Sequence, residues 1–386
     1  MLIRTFLLGL CLSVVIQTAA ANPCAATVYT YQPAPGQFVN LLPAYADGDT
    51  SDDMCRKVEA AWLQQTPVTL GAWGGYVVFG FDHMVANIPD EYDLCILGNA
   101  SVAKQNADGR CSGAAEPGIV MVSYDANGNG LPDDEWYHLA GSEHGNTATV
   151  HDYVCTYHRP AAAHQPVAGV SWKYLTDSLY ICWTDNQGGA GYVSKNSFHK
   201  QDYWPLWMSE DELVFSGVRL PDNVEILGTA GTNNILWCYD YGYADVFANN
   251  DERNRMKIDW AVDAQGNSVF LPGIHFIKVY TAVNQYAGWT GEVSTEVAGA
   301  LDLHAISTTA CEHTASQPSV TLLSNPVRET MVITSSTTQH AAVYNLHGHL
   351  LFNIHLSAGT NRISCSLPQG IYLLRYDGGA LRFLKQ

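Results

Sequence analysis

The stretch GIVMVSYDANGNGLPDDEWYHL, residues 118–139, decides the fold class. It opens on an apolar run, Gly118 to Tyr124, and closes on a second, Trp136 to Leu139. Between them stand Asp, Asn, Gly and Pro, the residues that turns require. This predicts two strands joined by a turn. The rhythm recurs along the chain in GYVVFGF (75–81), DLCILGN (93–99), SLYICW (178–183), ILWCYDY (235–241), KIDWAVD (257–263) and HFIKVYTAV (275–283). Short apolar or alternating runs between turn residues predict an all-β fold, a jelly-roll-like β-sandwich body. The 33 glycines fit it, since tight turns and bulges need them. One short N-terminal helix is expected over Asp52–Gln65, with Ser51 as N-cap and Asp52 and Asp53 at the positive helix start. Met54, Val58 and Trp62 would share its buried face.

The 386 residues carry 19 Lys+Arg against 37 Asp+Glu, a formal charge of −18. Charged residues make up only 15% and aromatics 11%. The apolar and aromatic mass excludes a disordered chain. The acidic balance opposes nucleic-acid binding, because phosphates would be repelled. The composition also excludes a coiled coil or helical bundle.

Residues 1–21 read as a secretory signal, with Arg4, an apolar stretch from Phe6 to Ile16, and small residues at Ala19, Ala20 and Ala21. Cys11 lacks the small preceding residue of a lipoprotein signal, so lipidation is not expected. Nine cysteines remain after it, an odd number that leaves at least one thiol unpaired. Cys24 with Cys55, Cys95 with Cys111 and Cys155 with Cys182 are neighbours in sequence and could be bridges. Cys182 and Cys365 sit in strand-like runs and could equally be small buried residues. No zinc spacing occurs.

Charge divides the chain. The segment 22–306 is strongly acidic and holds all ten Trp, 307–320 is a Ser/Thr/Pro-containing linker, and 321–386 is net basic. The last segment repeats the β rhythm. Asn325-Pro326, AAVYNLHGHLLFNIHL (341–356) and LPQGIYLLRY (367–376) stand out. This pattern resembles the C-terminal sorting domain of proteins exported by the type IX secretion machinery of Bacteroidetes. The resemblance implies a small immunoglobulin-like sandwich, passage through the outer membrane, and a cell-surface or extracellular location.

Two sets of residues carry candidate chemistry. In the first, Asp125, Asn127 and Asn129 alternate ahead of Gly130, as at the start of an EF-hand-type calcium loop. Leu131 would offer its carbonyl, and Asp133, Asp134 or Glu135 would close the shell. The Glu of position 12 is replaced by Trp136. A calcium-braced loop between strands is expected, against the alternative of a metal-free Asn/Gly turn. In the second set, Trp73, Tyr76, Trp183, Trp204, Trp207, Tyr241 and Tyr243 are candidate ligand contacts, since Trp and Tyr suit sugar rings and flat macrocycles. Core packing is the competing role for each. A patch from Tyr239 to Asp251 could hold a cation or form a solvated strand end. Asp82-His83 could be a turn or a site. No nucleophile elbow, zincin helix or phosphate loop is present. Glu116, Asp240 and Glu292 are available acids, but their spacing selects no pair.

Over residues 28–304, YQPAPGQFVN, GAWGGYVVFGFDH, EPGIVMVSYDANGNGLPDDEWYHLAGSE and PGIHFIKVYTAVNQYAGWTGEVSTEV occur together. The combination resembles a family of Bacteroidetes cell-surface proteins, some similar to cobalamin-binding proteins of vitamin B12 transport loci. The resemblance implies a secreted ligand-binding protein that captures cobalamin or a related corrinoid for outer-membrane uptake, beside a TonB-dependent transporter. The alternatives are a calcium-dependent carbohydrate-binding protein, a glycan-active enzyme, or an adhesin.

Overall fold

A computed structural model describes residues 24–25, 27–101, 103–170, 172–227, 233–305, 320–323, 327–345, 350–376 and 379–385. The signal at 1–21, most of the linker, Asn325-Pro326 and the 346–348 turn lie outside the described residues, as do Cys11 and Cys311. The chain forms two compact units, Met1–Thr309 and Ala310–Gln386.

The first unit is an all-β sandwich built from several antiparallel sheets. The largest has seven strands. Six follow the order Thr27–Gln32, Tyr76–Ala86, Gly273–Thr281, Gly118–Ser123, Trp136–Leu139 and Ala261–Val262, and Tyr243–Ala244 pairs with Gly118–Ser123. The opening stretch forms the expected strand pair, with Ser123 opposite Trp136. Val77, Val78, Phe79 and Phe81 are all buried, because their strand is covered on both faces. Burying such a side chain contributes about 1.5–3 kcal/mol, so this continuous run anchors the sheet.

The helix spans Ser51–Trp62, starting one residue earlier and ending three residues sooner than expected. Its N-cap is Thr50, one residue earlier than the sequence suggests. Thr50 Oγ1 accepts the Asp53 N–H at 3.2 Å, and the Asp53 carboxylate accepts the Thr50 N–H at 2.9 Å, a reciprocal capping box. The chain then leaves the helix through Gln65 in the left-handed region, φ 55°. Met54 and Val58 enter the main core, and the Trp62 indole donates to Val297 O at 2.8 Å.

A four-stranded sheet follows the order Ala190–Asn196, Leu175–Asp185, Val150–His158, Glu212–Arg219. The last strand alternates, with Leu213 and Phe215 buried and Glu212, Val214 and Ser216 exposed, so one face covers a core. That core contains Trp73, Tyr153, Tyr157, Tyr203 and Trp204. A second four-stranded sheet joins Val224–Leu227, Asn233–Trp237, Cys111–Gly113 and Lys104–Gln105.

The three sequence-neighbour disulfides are not formed. Cys55, Cys95, Cys111, Cys155 and Cys182 are free thiols. Strand pairing separates the expected partners. Cys155 lies opposite Asp185, three residues from Cys182, which puts the two thiols on opposite faces of the sheet. Cys95 is paired with Arg255 and Leu301, in a different sheet from Cys111.

The second unit has a three-stranded sheet, Val320–Leu322, Thr330–Ser335 and Gly359–Ser364. Its four-stranded sheet orders Leu350–Leu356, Gln339–Asn345, Gly370–Tyr376 and Gly379–Lys385. Val320, placed in the linker by the sequence, already belongs to a strand. Met331, Ile333, Val343, Ile354, Cys365, Leu374 and Phe383 fill the core. Among the described residues no helix is long and apolar enough to cross a membrane.

Candidate functional site

The 124–135 connection carries the calcium-loop residues. Gly128 and Gly130 take positive φ, 69° and 74°, which lets the backbone fold over its own side chains. Asp125 accepts the N–H of Asn129 at 3.1 Å and of Gly130 at 2.9 Å. Asn127 Oδ1 accepts the Asn129 N–H at 2.9 Å. The Asp133 carboxylate accepts the side-chain amides of Asn127 at 3.1 Å and Asn129 at 3.0 Å. Asp134 accepts the Ala126 N–H at 3.1 Å. Leu131 is half exposed and donates its N–H to Asn129 Oδ1 at 2.8 Å. The oxygens turn inward but are satisfied by N–H donors of the loop itself. The side-chain amide nitrogens of Asn127 and Asn129, not their oxygens, face Asp133.

The seven aromatic candidates do not line one pocket. Trp73, Trp204 and Tyr243 are core residues. Tyr76 donates to Gln32 Oε1 at 2.9 Å, beneath the Lys278 ammonium 4.2 Å from its ring centroid. Trp183 lies across its strand partner Gly191, where an added Cβ would approach Trp183 Cζ2 to 2.6 Å. Trp207 stacks with Tyr31 and Tyr45. Tyr241 is exposed and tilts against Trp260. Trp73 and Trp183 alone meet at one small cavity, about 140 Å³, which Glu292 also lines. Large rings are what a sandwich of this size uses to fill its interior, and most of the set is used that way.

A larger cleft, about 650 Å³, opens beside the four-stranded sheet that contains Leu175–Asp185. Its floor holds Tyr180 and Trp204, and Arg159, Lys195 and Lys200 surround them. A segment with Pro160, Ala161, Ala162 and Pro166 forms an apolar rim. Both carboxylates in the cleft are already engaged. Asp177 accepts His164 Nε2 at 2.5 Å and the N–H groups of Val167 and Leu179 at 3.1 and 3.2 Å. Asp202 accepts the Tyr180 hydroxyl at 2.7 Å and the Trp204 N–H at 3.0 Å. Lys195 has its ammonium 4.8 Å from the Tyr180 ring and 5.7 Å from that of Tyr203. Arg159 lies 5.0 Å over Trp204 and faces the exposed Asp211 at 3.5 Å. Neither Lys195 nor Lys200 joins an ion pair among the described residues. The volume falls within the ~300–1,000 Å³ common for small-molecule sites.

Deeper in the body, Glu116, Asp245 and Glu296 bring carboxylate oxygens within 4.8 Å of one another. Asp245 accepts the N–H groups of Asn99, Ala100 and Glu296 at 3.0, 2.9 and 2.9 Å. Glu296 accepts the Ser294 hydroxyl at 2.6 Å and the Asn99 amide at 3.2 Å. Burial and then mutual repulsion raise Asp245 and Glu116 well above the usual carboxylate range. Burial lifts Glu296 to about 7, against the hydrogen bonds it receives. Nearby, Glu292 is pushed by burial to about 8. One of its oxygens accepts the Gln37 N–H, and the other is buried without a partner.

The Tyr239–Asp251 patch is thus divided. Asp245 joins the buried acids, Asp240 stays exposed, and Asp251 holds Arg253. His83 lies within a strand and contacts Asp82 at 2.7 Å and Asp302 at 2.9 Å, so the Asp82-His83 pair is not a turn.

No family model and no curated protein matches this chain.

Proposed function

We propose that the protein is an exported cell-surface protein that captures a small anionic ligand in the Arg159–Trp204 cleft. The observation that carries this reading is the pair Lys195 and Lys200, two cations without a carboxylate partner in a chain of net charge −18. An opposite charge in a partly dry cleft is worth more than in bulk water. Tyr180 adds apolar surface for a ring, and the hydroxyl and amide groups around it fix its orientation. The dispersed aromatics offer no single platform for a corrinoid macrocycle. A corrinoid would instead engage the cleft through its phosphodiester, and an acidic saccharide through its carboxylate or sulfate. Calcium at the 125–135 hairpin is part of the same reading, as a structural brace. Export by the type IX machinery and delivery to a TonB-dependent transporter rest on the sequence patterns.

Titration followed by tryptophan fluorescence and calorimetry tests it, using glucuronate, a sulfated oligosaccharide, cyanocobalamin and a neutral oligosaccharide. Anionic ligands should bind, weaken with added salt, and lose at least tenfold in affinity in Lys195→Ala/Lys200→Ala. Equal binding of the neutral sugar, or salt-independent binding unaffected by the double substitution, would overturn the proposal.

A further inference from the structure

Cys155 and Cys182 face opposite ways and Cys95 and Cys111 lie in different sheets, but strand pairing brings together two cysteines that are far apart in sequence. Strands Cys111–Gly113 and Asn233–Trp237 run antiparallel, with Leu236 opposite Gly113 and Trp237 opposite Ser112. The next step of this register places Cys238 opposite Cys111, and the Cys238 N–H donates to the Cys111 carbonyl at 2.9 Å. Residues directly opposite in an antiparallel pair project from the same face of the sheet. Their Cα atoms lie about 5.5 Å apart at a hydrogen-bonded position, within the ~4.4–6.8 Å that a disulfide spans. Both residues also line one surface depression, so a reagent can reach them.

Neighbouring groups distinguish the two thiols. Arg253 Nη1 donates to Cys111 Sγ at 3.5 Å. Arg253 is itself held by Asp251, whose two oxygens accept from Nε at 3.0 Å and Nη2 at 2.6 Å. The guanidinium thus places its positive charge at Cys111 Sγ, with Asp251 on its other side. Burial, followed by the neighbouring Cys111, pushes the Cys238 thiol up to about 12. Cys111 is therefore the attacking sulfur and Cys238 the resolving one.

We propose that Cys111 and Cys238 are a redox pair that closes to a disulfide when the protein meets a small-molecule or protein disulfide. The Cys111 thiolate attacks one sulfur of the external disulfide and expels the other half as a thiolate. Cys238 then loses its proton to solvent and attacks Cys111 Sγ, expelling the second half. Two protein thiols are oxidised, and one external disulfide is reduced to two thiols. The bond would fasten the short edge of the sheet that carries Lys104–Gln105 and Cys111–Gly113 to the Asn233–Trp237 strand.

The test uses the full chain, folded and reduced, then exposed to glutathione disulfide. Remaining thiols are alkylated under denaturing conditions before non-reducing peptide mapping. A peptide linking Cys111 to Cys238 is expected, with the intact mass before alkylation about 2 Da lower for this bridge. Cys238→Ser should retain glutathione on Cys111, because the resolving thiol is gone. Recovery of both cysteines alkylated, a stable glutathione adduct on each, or a Cys95–Cys111 link in the wild-type chain would overturn the proposal. The wild-type map decides alone if the variant fails to fold.

Discussion

Glu292→Gln should remove a large part of the pH dependence of folding stability. Glu292 is only 5% exposed, and burial pushes its pKa to about 8 against an ordinary 4.5. Glu296 adds repulsion, and Tyr157, Tyr203 and Tyr286 face it as neutral phenols. The folded state therefore holds this proton more tightly than the unfolded chain does. The contribution of this group is full below about pH 4.5, is lost as pH rises to about 8, and changes no further above that. With 1.36 kcal/mol per pKa unit, the loss from this group is about 2 kcal/mol at pH 6 and about 4 kcal/mol at pH 8. Gln keeps an oxygen for the Gln37 N–H and cannot ionise. Urea unfolding of both proteins at pH 5, 6, 7 and 8 reads the difference in slope, whatever constant cost the amide adds. Parallel stability–pH curves would refute the assignment of a buried neutral acid at position 292.

Three further outcomes follow from the geometry. Gly191→Val should cost about 1–3 kcal/mol in urea unfolding, because its side chain meets the Trp183 indole that now covers the glycine. Thr50→Ala should cost about 1 kcal/mol by the same assay, since it removes the side-chain acceptor of the Asp53 N–H. Calcium should raise the melting temperature of the wild-type protein but not of Asp125→Ala, with calorimetry separating the two; an equal rise in both would exclude the 125–135 hairpin as the site.

The β architecture was legible because local alternation carries it. Gly118–Ser123 and Trp136–Leu139 flank a turn whose residues can do little else, and the strands formed there. The helix was legible too, but its cap moved to Thr50: Ser is the better cap in general, yet only Thr50 has an acid, Asp53, three residues on to return the bond. The site was far less legible. Whether Trp204 faces a ligand or fills a core depends on strands that cross it, and it proved to be a core residue with one edge at the cleft. Lys195 and Lys200 leave only a faint signal in the sequence, two cations close together in an acidic body. Glu116, Asp245 and Glu296 come from three distant segments, and no local pattern could have joined them.

That convergence also bears on the order of folding. The three carboxylates can repel one another only after the strands beginning at Gly118, Tyr243 and Glu296 have come together, which requires closing very long loops. Charging them should therefore penalise a contact made late, leaving the refolding rate almost unchanged while unfolding accelerates. Stopped-flow chevrons at pH 5 and 8 would show this as movement of the unfolding limb alone; a refolding limb that shifts instead would mean that the acids meet early.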